Sequence, residues 1–315
     1  MNLNTFQRTA ITTVAATLFL ILVGGLVRAA GAGLGCPDWP TCFGLWIPPT
    51  NLADLPAGFD ASQFNVYKTW IEYVNRLVGV VIGLLIIATF VLSFRYRKQK
   101  PMVFYSSALA FILVLVQGWL GGRVVQTGLS EWLITIHMLL AMVIVNVLLY
   151  AAFKASTDLI SIRIEENFRK KLLWLVSVLF ALTIIQMILG TQVREAIDLV
   201  KGSEYVPPRS FWIDSIGTIF PIHRSFSWLI FLAGAYLFYM LRKEKAEGLI
   251  LQLGQLNIFL ILLQLGTGLA LYYYDMPRVL QVLHLVGIAL MVCAQFLFIL
   301  VLGLAANKKR KKLSE

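Results

Sequence analysis

The sequence predicts an all-α polytopic membrane protein whose eight transmembrane helices form two tandem, parallel-repeat four-helix bundles. Three observations carry this. The 315 residues are 59% hydrophobic and only 14% charged, with a mean hydropathy of +0.79, which excludes an ordinary soluble domain. Eight apolar stretches, near 9–29, 72–94, 102–122, 132–153, 172–191, 223–241, 249–272 and 279–304, have about the 20 residues a helix needs to cross the hydrocarbon core. Motifs of the first half also recur, in order, in the second.

The gaps between spans set the topology. Lys and Arg gather in alternate gaps: RYRKQK at 95–100, Arg163, Arg169, Lys170 and Lys171, RKEK at 242–245, and the tail KKRKK at 308–312. The positive-inside rule makes these gaps and both termini cytoplasmic, in a multi-pass protein of the cytoplasmic membrane. The net charge of +11 is therefore a topology signal with some attraction to membrane lipid, not a nucleic-acid surface. The implied organisation is a first half at 1–155, a cytoplasmic linker at 156–171, a second half at 172–305 and a basic tail at 306–315.

Taken in order, the first span could be a signal peptide, since RAAGAG follows its apolar stretch, but its repeat mate argues that it is retained. The long external loop at 30–71 contains GAGLG at 31–35, which no strand precedes, so it is not a dinucleotide loop. The same loop holds Cys36 and Cys42 with five residues between them. In an oxidising compartment a disulfide is expected there, because zinc would want further thiolates or histidines in the loop. The second span opens with Glu72, Asn75 and Arg76 on one helical face. Charge at the bilayer centre costs about 2.5–3.5 kcal/mol, which makes this cluster a functional candidate. A second external loop at 192–222 follows the fifth span, and Cys293 in the eighth is read as packing.

The internal similarity is specific. VLVQGWLGG at 114–122 resembles LLQLGTG at 262–268, with Gln117 and Gln264 each 20 residues before a histidine, His137 and His284. VGGLVR ending at Arg28 resembles ILGTQVR ending at Arg194, and VNRLVG at 74–79 aligns with IHRSFS at 222–227. The offsets agree, 284 − 137 = 147 and 223 − 75 = 148. Both halves begin in the cytoplasm, so the repeats are parallel, related by an axis near the membrane normal.

The chain has three histidines, His137, His223 and His284, each near the outer start of an even-numbered span. A single histidine on an apolar face is ordinarily a packing residue; three at equivalent depth, two of them repeat mates, point to ligands. No carboxylate or thiolate cluster accompanies them, so a bare metal would lack donors, whereas two imidazoles facing across a four-helix bundle are what bis-histidine haem ligation requires. His223 and His284 form one such pair, and the equivalent pair in the first half is Asn75 with His137. Arg76 and Arg224 beside these positions are candidates to pair with propionates or with local carboxylates. Arg28, Arg123 and Arg194 lie at the same level, where plain snorkelling is the competing reading.

These residues resemble the haem A synthase family, eight-span enzymes that convert haem O to haem A. The resemblance covers nearly the whole chain and rests on GGLVRAAGAGLGCPDWPTCFG at 24–44, EYVNR at 72–76, GGRVVQTGL at 121–129, and the three histidines. It implies a cofactor haem b held by His223 and His284, with Arg194 and Arg224 nearby. It implies a substrate haem O in the first half, near His137, Asn75, Arg76, Arg28 and Arg123, with all haem sites toward the extracytoplasmic side. Glu72 matches the family's essential glutamate, and Cys36–Cys42 matches a pair beside the substrate site, thought to move electrons or to brace the loop. The implied reaction is oxidation of the haem O C8 methyl by two hydroxylations, with loss of water leaving a formyl group. Haem O synthase and oxidase assembly factors are the implied partners; a homo-oligomer is left open.

Two departures stand out. Asn75 occupies the place of an expected histidine and is read as a natural variant that leaves His137 as the strong ligand of the substrate haem. The second external loop lacks the second cysteine pair of some members. Two other readings compete. A quinol-linked b-type cytochrome would be expected to keep both ligand pairs and has no need of Glu72. A transporter would be expected to carry Gly/Pro-broken spans, which are not evident.

Overall fold

The computed structural model describes residues 3–162 and 164–314, the side chains of 305–314 excepted. Arg163 lies outside the described residues, as do the side chains of the 308–312 tail. Eight helices are long and apolar enough to cross a membrane, and no strand is present among the described residues. They are α1 Thr5–Ala30, α2 Val66–Ser93, α3 Pro101–Gln126, α4 Glu131–Ala155, α5 Glu166–Gly202, α6 Ile219–Lys243, α7 Gly248–Tyr273 and α8 Arg278–Ser314. All eight spans run unbroken, without the interruptions a transporter site would want. Leu84, Leu232, Phe259 and Trp174 stand exposed on their surfaces, as expected where lipid rather than water is the solvent.

Local chemistry sets the helix ends. Asn4 and Gln7 form a reciprocal capping box at the start of α1, and Gly31 at φ 65° ends it in the left-handed conformation. Asn65 caps α2 through Lys68 N, Pro101 occupies the first turn of α3, and Glu165 accepts from Asn167 N and Phe168 N to start α5. Two helices outrun their hydropathy. α2 starts at Val66, inside the expected loop at 30–71. α5 continues to Gly202, because Arg194, Asp198 and Lys201 pair at helical spacing along a stretch too polar to read as a span. The second external segment is accordingly shorter than 192–222, and the linker is shortened at Glu166.

The chain divides into two compact units, Met1–Ala155 and Ser156–Glu315. In the first, α1 packs on α2, α2 on α3, α3 on α4 and α4 back on α1; in the second, α5 to α8 close the same ring. The first unit's lower core gathers Phe6, Ala10, Tyr96, Val103 and Ala151. There Gln7 Nε2 donates to Ala155 O at 2.9 Å and Asn4 Nδ2 to Tyr96 Oη at 2.8 Å. Higher up, Ile82, Ile86, Ala110, Ile144 and Leu148 fill the centre. Thr13 and Thr89 join α1 to α2 through hydroxyls 2.9 Å apart, a polar tie of the kind that helps lipid-embedded helices associate. In the second unit Arg169 pairs with Glu166 and reaches Leu302 O at 3.4 Å, tying α5 to α8.

Candidate haem sites at the histidine-bearing helix ends

Each histidine is set by a glycine of the preceding helix. A methyl group placed on Gly121 of α3 would lie 3.4 Å from Cε1 of His137 on α4. The same contact is 3.2 Å between Gly190 of α5 and His223 of α6, and 3.5 Å between Gly268 of α7 and His284 of α8. The bare backbone lets each imidazole edge lie against its neighbour helix.

The second nitrogens differ. Nδ1 of His137 and of His223 is buried without a partner. Nδ1 of His284 lies 2.9 Å from Thr267 Oγ1. Leu263 O lies 2.8 Å from that hydroxyl; with the hydroxyl proton given to this carbonyl, the oxygen would accept from Nδ1–H and the Nε2 lone pair would be left for a ligand role. Gln117 Nε2 donates to the backbone carbonyl of His137 at 3.1 Å, and Gln186 Nε2 to that of His223 at 3.0 Å.

The N-terminal end of α2 is built otherwise. Glu72 is 3% exposed; its Oε2 accepts from Cys36 N at 2.9 Å and its Oε1 from Arg76 Nη2. Arg76 Nη1 also donates to Asp38 O at 2.7 Å and Thr41 O at 2.8 Å, and Nη2 to Cys36 O at 3.3 Å. Of the two kinds of partner expected for it, Arg76 here has the local carboxylate, together with three carbonyls of the cysteine loop. Cys36 and Cys42 are joined by a disulfide. Within the loop, the Asp38 carboxylate accepts from Thr41 Oγ1, from Phe43 N at 2.6 Å and from Gly44 N at 2.9 Å. Phe43 packs edge-on against Phe59 and Phe64. Thr69 Oγ1 donates to Gly35 O at 2.8 Å, and the Trp39 ring lies directly over Gly122, one residue past the glycine that meets His137. The loop therefore spans from α2 to α3 over the first unit. Asn75, on the same helix face as Glu72, has its Oδ1 buried and unpartnered.

The remaining arginines fall at the helix ends. Arg28 stands in the last turn of α1. Arg123 donates to Gln126 Oε1 at 2.8 Å and lines an open groove with Trp119, Trp132 and Leu133. Arg194 is buried and pairs with Asp198 at 3.0 Å. Arg224 lies over the Phe220 ring, 5.7 Å from its centroid.

The donor chemistry fits a haem. Among the described residues no group of three or more His, Cys, Asp or Glu could hold a metal ion, whereas a macrocycle brings its own four donors and needs only axial imidazoles. His223 and His284 would supply two, and His137 one. Gln186, Thr267 and the three glycines escape a reading of the sequence by motif alone. Gln117 and Gln264 stand out by lying 20 residues before a histidine, but Gln186 lies 37 before His223, across a longer loop. The shared signal is instead Gln-x-x-x-Gly, at 117–121, 186–190 and 264–268.

A family model described as cytochrome oxidase assembly protein matches residues 7–296. The chain is similar to a protein named heme A synthase from Orientia tsutsugamushi (strain Ikeda), 27% identical over 90% of this chain and 91% of the relative. It is also similar to one of that name from Rickettsia prowazekii (strain Madrid E), 24% identical over 89% of this chain and 94% of the relative. A third, from Shewanella oneidensis, is 31% identical over 44% of this chain and 42% of the relative. With that match running through both helical units, the chain belongs to the cytochrome oxidase assembly protein family, the family of the haem A synthases.

Proposed function

We propose that this chain is a haem A synthase of the cytoplasmic membrane that oxidises the C8 methyl of haem O to a formyl group, in haem A biosynthesis for terminal oxidases. The observation that carries this is the recurrence of one histidine setting, an imidazole edge on a glycine of the preceding helix, at His137, His223 and His284, in a chain matched by the family over 7–296. His223 and His284 are assigned to a cofactor haem b, and His137 to the substrate haem O. The bound haem b supplies one-electron redox chemistry. The methyl carbon is oxidised by four electrons in two hydroxylations, each replacing a C–H bond with a C–O bond and passing two electrons to an external oxidant. It goes through an alcohol and a geminal diol, which loses water to give the aldehyde.

The residues around the substrate position divide the work. Glu72 is assigned proton handling during methyl oxidation; it is sequestered from water, with Arg76 one turn away to take the balancing charge. Asn75 offers an amide where a second imidazole would stand, so His137 alone holds the substrate iron and the opposite side is left to small molecules. Support for extracytoplasmic sites comes from the disulfide loop over the first unit and from the basic gaps at the other helix ends. Both termini are then cytoplasmic, and haem O synthase and oxidase assembly factors are the natural partners.

The test is co-expression with a haem O supply, followed by chromatography of the extracted haems. Haem A, or its alcohol precursor, is the expected product, and absence of both would sink the assignment. A purified protein carrying two stably bound haems b, and no haem O or A, would instead make it a dihaem electron carrier.

A further inference from the structure

The glutamine of the recurring Gln-x-x-x-Gly unit has no role in the reading above. In α3 and α5 its glutamine reaches across to the backbone carbonyl of the histidine on the next helix, while its glycine, one turn on, takes the edge of that same imidazole. One helix face thus fixes both the height of the histidine's backbone and the lie of its ring. In α7 the spacing is kept but the arrangement changes. Gln264 Nε2 lies against Gly287, one turn past His284, without a partner, and Thr267 takes Nδ1 of the histidine instead.

The fourth position is informative because the unit is broken there. Counting back from the matched arginines, 194 − 190 = 28 − 24 = 4 and 194 − 186 = 28 − 20 = 8, so Gly24 and Leu20 of α1 stand where α5 has Gly190 and Gln186. Leu20 packs against the central core of the first unit, so the register faces inward, but it has no donor to offer. A methyl on Gly24 would meet nothing within 4 Å. The glycine remains, and the glutamine is absent in the half where Asn75 takes the repeat position of His223.

We propose that Gln117 and Gln186, each with the glycine four residues on, are positioning residues that clamp the axial imidazoles of His137 and His223, and that loss of the clamp in α1 accompanies loss of the fourth ligand. This rests on the haem assignment made above. The glutamine does not touch the iron. By tying the carbonyl of the ligand's own residue to the neighbouring helix, it limits how far the imidazole tilts or slides, in the way outer-shell partners orient metal ligands.

The test uses the full-length purified protein. Gln186→Met keeps the side chain's bulk and removes its donor. The expected result is retained haem b with a shifted and broadened low-spin electron paramagnetic resonance signal and a displaced midpoint potential. Gln295→Met, in α8, removes another buried amide, one without partners, and is expected to leave both readouts where they are. A purely packing role would lower Tm without moving either, and would overturn the proposal. So would equal spectral changes in the two variants. A gain-of-function arm does not depend on Gln186→Met folding: Asn75→His alone is compared with Asn75→His plus Leu20→Gln. Restoring the clamp should raise the ratio of six-coordinate low-spin to other haem in the first unit about fivefold, the worth of one hydrogen bond. An unchanged ratio overturns the clamp while leaving the haem assignment intact. A protein that binds no haem overturns both.

Discussion

The histidine-bearing ends of the two units share a plan and are finished differently. In the second unit two histidines on α6 and α8 meet glycines of α5 and α7, and the charged groups nearby pair along the extended α5. In the first unit only α4 keeps its histidine. The matching end of α2 is given over to Glu72 and Arg76, which bind the backbone of the disulfide loop. The same helix end thus carries a buried histidine in one unit and holds a loop cover in the other.

The sharpest way to break this comparison is Arg76→Leu. It leaves Glu72 buried without its counter-charge and strands three loop carbonyls, so a loss of about 3–5 kcal/mol is expected. Thermal unfolding in detergent would read it, and proteolysis should cut within 31–65 while the helices of the second unit stay protected. A Glu72→Gln, Arg76→Leu double variant should be less destabilised than Arg76→Leu alone, since no buried charge is then left unpaired.

Next in size is Gly35→Ala. An added methyl would sit 2.3 Å from Lys68 O, backbone against backbone, where nothing flexible can yield. Overpacking of this kind costs about 1–3 kcal/mol, and here it should lift the loop from α2, seen as faster cleavage of the loop. Gly24→Ala, which meets nothing within 4 Å, is the control and should leave the loop alone.

Removing the disulfide by Cys36→Ser with Cys42→Ser should cost about 2 kcal/mol, because it closes a short loop. If the loop is held mainly by Arg76 and Glu72, the doubly substituted protein keeps its loop protected; proteolysis as rapid as in Arg76→Leu would show that the disulfide dominates. The smallest effect expected is Lys201→Gln, in the second unit. It removes a part-exposed pair to Asp198, worth about 0.2–1 kcal/mol, and circular dichroism should register only fraying of the end of α5.

Much of this was legible in the sequence because it is written locally. Apolar runs of span length mark eight helices wherever the residues that decide them are neighbours in the chain. Paired cysteines in one loop, and three histidines at matching depth, carry their own chemistry. The end of α5 was not legible, because hydropathy registers the polarity of Arg194, Asp198 and Lys201 but not that they neutralise one another at helical spacing.

What the sequence alone determined, then, is the membrane architecture, the internal repeat, and the histidines and cysteines that any site would use. The tertiary structure decided what those residues do for one another. Arg76 meets Asp38 across 38 positions and Gln186 meets His223 across 37. Such partners are set by which helices pack side by side and how closely their glycines let them approach. Helix formation needs only the next few residues, whereas a clamp or a latch needs two distant faces in register, and that register exists only once the four helices of a unit have closed.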